Sequence, residues 1–144
     1  MPKRRIPLWD LLGLSAVIAF VGVPSGLVYR QVQHEKANTA LIAAVKNNDT
    51  AGVMAALNRG ADINAKDMNG RTALEQAVVA ENVEGVRILL ERHANLIIPT
   101  SEGTSILSEA IRLRGDAPEE PALRQIVALL KKAGAKEERG QGRP

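Results

Sequence analysis

The sequence repeats at a fixed interval, and this feature constrains its fold more than any other. Three stretches share a pattern of hydroxyl residue, leucine and alanine: TALIAA (39–44), TALEQA (72–77) and SILSEA (105–110). The step from Thr39 to Thr72 equals the step from Thr72 to Ser105, and we call it the repeat interval. A unit of this length cannot bury its apolar face alone, so it is stable only when it packs against copies of itself. The chain is therefore predicted to form a stack of repeated units, which makes a binding surface a better expectation than an active site.

Each unit predicts two helices. Thr39, Thr72 and Ser105 are expected to cap the first helix of their units, because a hydroxyl oxygen accepts a hydrogen bond from a free backbone N–H there. Polar residues then break that helix, and apolar residues at helical spacing predict a second one. Gly60 and Gly134 suit the left-handed residue that ends the second helix. The middle unit has a histidine in place of this glycine.

An insertion sets the last unit apart. The ends of the second helices align as ALNRGADIN (56–64) and LLERHANLI (89–97), but the third copy, LLKKAGAK (129–136), lies eight residues later than the repeat interval requires. The extra residues fall in RGDAPEEP (114–121). This acidic stretch predicts a solvated loop between the two helices of the last unit.

These motifs resemble the ankyrin repeat: T-x-L-x-x-A at the 33-residue period, V-x-x-L-L downstream, and GADIN followed by D-x-x-G-x-T. The resemblance covers about residues 37–136, as units at 37–66, 67–99 and 100–136. It implies an all-α ankyrin-repeat solenoid of about three helix-pair repeats, which binds another protein and has no catalytic activity. The chain departs from the usual T-P-L-H of the family, notably at Glu75, which stands in place of the histidine.

Composition favours helices and argues against nucleic-acid binding. The three aromatic residues, Trp9, Phe20 and Tyr29, all precede residue 30, so the repeats must build their core from Ala, Leu, Val and Ile. Small aliphatic cores suit closely packed helices better than strands. Residues 1–36 hold five basic and two acidic side chains, and the 14 basic and 14 acidic side chains beyond them cancel. A domain without a basic excess offers no electrostatic footprint for nucleic acid.

An apolar segment precedes the repeats. Residues 11–29 carry no charge, and a helix of this length spans about 28 Å, close to the hydrocarbon thickness of a bilayer. Lys3, Arg4 and Arg5 precede the segment and predict a cytoplasmic N-terminus. The segment is accordingly predicted to be a transmembrane signal anchor, which holds the C-terminal domain on the periplasmic side of the inner membrane.

The remaining boundaries follow from the anchor, and two alternatives to it stay open. Residues 1–10 form the basic cytoplasmic N-terminus, residues 30–36 a linker, and residues 137–144 a disordered tail. In the first alternative the segment is a signal peptide, with the small residues of VPSG (23–26) near the cleavage site, and the protein is secreted to the periplasm. In the second alternative the segment is a buried helix of a soluble domain.

No group of residues predicts catalysis, a metal site or a cofactor site, so the protein is predicted not to be an enzyme. T-A-L-E predicts a capping box, in which the Glu75 carboxylate reaches back to the backbone N–H of Thr72. His34 and His93 are the only histidines, and they lack the spacing of metal ligands.

The resemblance implies that a partner binds on the concave side, through turn tips and first helices. Carried over by position, the partner-binding candidates are Met68, Asn69, Arg71, Val79 and Ala80 in the second unit, and Ser101, Glu102, Thr104, Arg112 and Leu113 in the third. Met68 and Arg71 are the first choices, because an exposed methionine adapts to apolar surfaces and arginine is enriched at binding hot spots. The partner is an unidentified protein, and the chain itself is expected to be a monomer.

Two functions agree with these features. The leading hypothesis is a membrane-anchored interaction module in the cell envelope, which contacts the membrane through residues 11–29. The alternative is an exported accessory or inhibitory factor, such as a helper or immunity protein, that acts on an envelope enzyme after signal-peptide cleavage. Both are non-catalytic, because no set of polar residues converges.

Overall fold

The computed structural model of the protein describes residues 25–137, with side chains from residue 32 onward. Within this range the chain forms six helices: α1 (Ser25–Lys46), α2 (Thr50–Asn58), α3 (Ala73–Val79), α4 (Val83–Glu91), α5 (Ile106–Asp116) and α6 (Pro121–Lys132). These residues form no strand, and their β contact is one isolated antiparallel bridge between Lys66 and Thr72. The all-α prediction is confirmed for the part of the chain that the structure describes.

The chain divides into two compact units, Met1–Gln33 and His34–Pro144. The described residues of the first unit are the beginning of α1, so most of the predicted transmembrane segment, residues 11–29, lies outside the described range. No helix formed by residues 25–137 is long and apolar enough to span a bilayer. The second unit contains the repeats.

The helices of the second unit pair in chain order and form two layers. Helix α3 packs against α4, and α5 packs against α6. Neighbouring pairs meet through their first helices, α3 and α5, and through their second helices, α2 with α4 and α4 with α6. This stacking gives each pair the neighbours that it needs to bury its apolar face.

The core of the stack is aliphatic, as the composition predicts. Its larger fully buried side chains come from α1, α2, α3, α4 and α6: Leu41, Val45, Val53, Val78, Val86, Leu89, Leu123, Ile126 and Leu130. Ala44, Ala77 and Ala110, which follow one another at the repeat interval, are buried as well. Burial of one leucine, isoleucine or valine side chain contributes roughly 1.5–3 kcal/mol, and the small alanines allow the helices to approach closely.

Two of the three predicted helix caps are confirmed. Oγ1 of Thr72 accepts a hydrogen bond from the N–H of Glu75 at 3.2 Å, and Oγ of Ser105 accepts one from the N–H of Ser108 at 3.1 Å. The predicted cap at Thr39 is wrong, because this residue lies inside α1 and donates its hydroxyl proton to the carbonyl of the residue four positions earlier, at 3.0 Å.

Helix α1 begins before the first repeat because nothing in the sequence interrupts it. No glycine or proline occurs between residues 27 and 46, whereas Thr72 and Ser105 follow turns that contain Gly70 and Gly103 in left-handed conformations. Residues 30–36, which were assigned to a linker from the sequence, are consequently helical.

The extra residues of the last unit lengthen its helices more than its loop. Helix α5 has 11 residues against 7 in α3, and α6 has 12 against 9 in α4. Of the predicted acidic loop, Glu119 and Glu120 lie in the connection, and Pro121 begins α6. Proline is favoured there because the first residue of a helix has no intrahelical partner for its N–H. Arg124 closes the connection by donating to the carbonyl of Pro118 at 2.6 Å.

Left-handed residues end the three second helices, as predicted. Gly60, His93 and Gly134 have φ angles of +86°, +62° and +88°. After each of them the next N–H donates to a carbonyl five residues earlier, at 2.9 to 3.1 Å, which satisfies an otherwise free group at the helix end. Of these three residues, only His93 carries a Cβ, and this conformation costs an L-residue about 1–2 kcal/mol.

We expect His93→Gly to raise the free energy of unfolding by up to about 1 kcal/mol. Relief of the left-handed strain is partly offset by about 0.5–1 kcal/mol, because glycine has more freedom in the unfolded chain. Denaturant titration of the full-length protein, followed by circular dichroism, measures the difference. His93→Ala keeps the strain and should not stabilise the protein. A glycine variant less stable than the wild type would mean that the imidazole itself makes a stabilising contact.

Candidate interaction surface

The first predicted binding residues lie on a tight turn, residues 67–71, which we call the Asp67 turn. Two backbone hydrogen bonds of 2.9 Å close it, from Asp67 to the Arg71 carbonyl and from Gly70 to the Asp67 carbonyl. The Asp67 carboxylate also accepts bonds from the N–H groups of Asn69 (2.8 Å) and Arg71 (2.9 Å) and from the amide of Gln76 (2.9 Å). Partial burial opposes ionisation of Asp67, but the bonds from Arg71, Gln76 and Asn69 hold its pKa below the ordinary value. The turn is therefore preformed.

Met68 and Asn69 form the tip of the Asp67 turn. The Met68 side chain is fully exposed, and Asn69 is exposed beside it. A methionine that contributes nothing to the core offers a flexible apolar surface that another protein can bury. The structure thus places the first choice of the sequence prediction in solvent, on a rigid support.

Arg71, the other first choice, is less available than its position in the sequence suggests. Its side chain is 35% exposed, its Nε donates to Oγ of Ser101 at 3.4 Å, and the same nitrogen lies 3.7 Å from Oε1 of Glu75. Because the guanidinium interacts with the next unit, a substitution of Arg71 would alter the stack as well as any contact with a partner.

Glu75 bonds differently from the predicted capping box, and that part of the prediction is wrong. Its side chain is 3% exposed, and its two oxygens each accept from the N–H of Ser101 at 3.0 Å. Oε1 also accepts from the Ser101 hydroxyl at 2.5 Å. Ser101 offers two donors and Arg71 a positive charge, whereas Thr72 would offer a single N–H, so the carboxylate turns toward the next unit.

The third unit repeats the turn with a hydroxyl in place of the carboxylate. In residues 100–104, the Thr100 turn, two backbone bonds of 2.9 Å recur at equivalent positions. Oγ1 of Thr100 accepts from the N–H of Thr104 at 3.2 Å. Ser101, Glu102 and Thr104 are exposed. The predicted residues of both units therefore occupy equivalent turns.

The other predicted residues lie on the first helices. Val79 ends α3 with 37% of its surface exposed, and Ala80 is the C-cap of that helix. Arg112 of α5 is exposed and pairs with Glu109 at 2.6 Å, which raises the pKa of Arg112. Leu113 is half-buried and packs against the core, so it is the least available of the candidates.

Two features of this side of the repeats were missed in the sequence. Ile97 is 89% exposed and lies just before the Thr100 turn. The amide oxygen of Asn64 accepts from the N–H of Asn95 at 2.9 Å and so links the connections of successive units. The signal for Ile97 is its place in the connection that follows the second helix, whereas no sequence pattern identifies the donor that Asn64 binds.

A groove of about 330 Å³ lies in the other helix layer, between α4 and α6. It is lined by Arg87, Leu90, Glu91, Leu129, Lys132 and Ala133. None of the predicted contact residues lines it, so Lys132 is a suitable control position for experiments on the turns. Within residues 25–137, no three His, Cys, Asp or Glu side chains cluster as metal ligands would.

Paired helices stacked in two layers, equivalent turns separated by the repeat interval and left-handed helix ends define a helical repeat protein of the solenoid class. A family model described as ankyrin repeats (3 copies) matches residues 17–100, which is more than half of the chain. The protein therefore belongs to the ankyrin repeat family, as the resemblance implied. Ankyrin repeats generally mediate binding between proteins. Helices α5 and α6, beyond the matched range, continue the same packing.

Proposed function

We propose that the protein is a non-catalytic interaction module that binds another protein through the tips of the Asp67 and Thr100 turns, together with Val79 at the end of α3 and Arg112 of α5. The observation that carries this proposal is Met68, a fully exposed apolar side chain at the tip of a preformed turn. Preformed turns lose little conformational freedom on binding, so more of the contact energy appears as affinity.

The charges of this surface favour a partner that makes mainly apolar contacts. Arg71 is matched by Glu75, and Arg112 is matched by Glu109 and by Asp116 at 3.4 Å. Cations already paired within the protein have little left to offer to an acidic partner. We therefore expect binding to depend on burial around Met68, and the paired arginines to add little salt dependence, since screening acts chiefly on unpaired exposed charges, of which Glu102 in the Thr100 turn is one within the described range.

We expect Met68→Ala to weaken binding of the partner roughly thirtyfold, the effect of about 2 kcal/mol at an interface hot spot. A photoreactive amino acid at position 68 in intact cells should form a crosslink to one protein, which mass spectrometry identifies. The purified partner is then titrated against the wild type and the variant. The free energy of unfolding should change by less than about 0.5 kcal/mol, because Met68 touches nothing in the core.

Lys132→Ala is the matched control, because this exposed residue lies at the groove between α4 and α6. It should alter neither binding nor stability. If the photoreactive group crosslinks from position 132 and not from position 68, the interface lies on the second helices, and the turn surface is not the binding site.

We propose in addition that residues 11–29 anchor the protein in the inner membrane and that the repeats lie in the periplasm. The support is the uncharged run itself, which is long enough to span a bilayer, and the three basic residues that precede it. The competing proposal is an exported helper or inhibitor of an envelope enzyme, released after cleavage near residues 23–26. Both proposals place the repeats outside the cytoplasm.

A reporter fused after Pro144 that is active only outside the cytoplasm is expected to be active, because Lys3, Arg4 and Arg5 retain the N-terminus in the cytoplasm. The protein should also remain with membranes after a high-salt wash and keep its N-terminal residues. A soluble protein whose N-terminus begins near Gly26 would favour the exported factor. Activity of a cytoplasm-only reporter at the same position would contradict both proposals.

A further inference from the structure

We propose that Glu75 is a positioning residue, which fixes the Thr100 turn in register beside the Asp67 turn so that both tips face a partner as one surface. The role of Glu75 in partner binding rests on the proposed function. The relative position of the two turns is a property of the free protein, so it can be measured without a partner.

The contacts of Glu75 join two units at a single carboxylate. Both oxygens accept from the Ser101 N–H at 3.0 Å, and Oε1 accepts from the Ser101 hydroxyl at 2.5 Å. Arg71 of the Asp67 turn lies 3.7 Å from the same oxygen and donates to the Ser101 hydroxyl at 3.4 Å. One side chain of α3 thus holds Ser101, a residue of the tip of the next turn, and Arg71 connects that contact to the Asp67 turn.

The stack does not require a carboxylate at this position. Ile42 is the equivalent of Glu75 in the first unit, one repeat interval earlier, and its side chain is buried in the aliphatic core. An apolar side chain therefore fills the same place in the same protein. The turn that follows Ile42 is the Asp67 turn, which the Asp67 carboxylate itself holds through bonds from Asn69, Arg71 and Gln76. The turn that follows Glu75 has a hydroxyl at the equivalent position, Thr100, and there the carboxylate of Glu75 supplies the additional bonds.

The energetics separate positioning from stability. Burial of a carboxylate carries a desolvation cost, which its hydrogen bonds and the nearby guanidinium offset, and replacement of a buried ionic group by a well-packed apolar one is often neutral. Ser101 is exposed, so its N–H and hydroxyl can bind water once the carboxylate is gone. Glu75→Ile should therefore leave the stack intact and release the Thr100 turn from its neighbour.

The relative position of the two turn tips can be measured directly. The protein has no cysteine, so the double variant Met68→Cys, Glu102→Cys accepts spin labels at two exposed positions of the full-length protein. We expect a narrow distribution of distances between the labels by dipolar electron paramagnetic resonance. Addition of Glu75→Ile should about double the width of that distribution while the melting midpoint stays unchanged, because only local contacts are lost.

Glu75→Gln is the conservative control, because its carbonyl oxygen can still accept from Ser101 and should restore the narrow distribution. A distribution that remains narrow in Glu75→Ile would overturn the proposal. So would a broad distribution that appears only together with a lowered melting midpoint, because Glu75 would then act on the stability of the whole stack. Neither result depends on whether Met68 contacts a partner, so failure here and failure of the proposed function are distinguishable.

Discussion

Leu74→Ala is expected to lower the free energy of unfolding by about 2–5 kcal/mol, the range found when a buried leucine is truncated and a cavity remains. Leu74 lies on α3 in the middle pair, is 3% exposed, and belongs to the core that continues into the pairs on both sides. Because each repeat is stabilised by its neighbours, a cavity in the middle pair weakens both contacts at once. Denaturant titration of the full-length protein by circular dichroism measures the loss.

Val79→Ala is the matched control for that experiment. Val79 lies on the same helix as Leu74 but is 37% exposed, so its truncation removes less buried surface and should cost about 1 kcal/mol or less. Equal losses in the two variants would contradict the assignment of Leu74 to the core. A Leu74→Ala loss below that of Val79→Ala would do so more strongly.

The repeat made much of the fold predictable, because residues at equivalent positions begin or end the equivalent helices of each unit. Thr72 and Ser105 cap helices, and Gly60 and Gly134 end them with left-handed φ angles, as their spacing predicts. The predicted helix cap at Thr39 was wrong, because the alignment of the repeats does not by itself show whether a turn precedes the aligned residue. Where no glycine interrupts the chain, a threonine at the aligned position lies inside a longer helix.

The turns that carry the candidate residues were predictable from the sequence, but the contacts of their side chains were not. The position of Met68 within a turn follows from the flanking Asn69 and Gly70, and its full exposure agrees with that position. The contacts of Arg71 and Glu75 depend instead on how closely the next turn approaches. Ser101 supplies the donors for Glu75 from 26 residues away, and a local pattern such as a capping box cannot anticipate donors from another unit.

Asn82→Ala is expected to lower the free energy of unfolding by about 2–3 kcal/mol. The Asn82 side chain caps α4 by accepting from the N–H of Gly85 at 2.7 Å, and loss of such a cap costs typically about 1 kcal/mol. Its amide also donates to the carbonyl of Val45 in the preceding unit at 3.0 Å, in a buried position. Loss of a hydrogen bond to a buried group adds about 1–2 kcal/mol, since that carbonyl keeps only a longer 3.3 Å bond to Asn48.

Asp49→Ala separates the contribution of the helix cap from that of the bond to the preceding unit. Asp49 is the equivalent of Asn82 in the first unit, one repeat interval earlier, and it acts as a helix cap without a bond to another unit of the described chain. It caps α2 by accepting from the N–H of Gly52 at 2.9 Å, on an exposed side chain. We expect Asp49→Ala to cost about 1 kcal/mol, the cap alone. The difference between the two variants, measured by denaturant titration, then gives the contribution of the bond from Asn82 to Val45. Equal losses would show that this bond adds nothing to the contact between the first two helix pairs, whose stability would then rest on the buried aliphatic side chains.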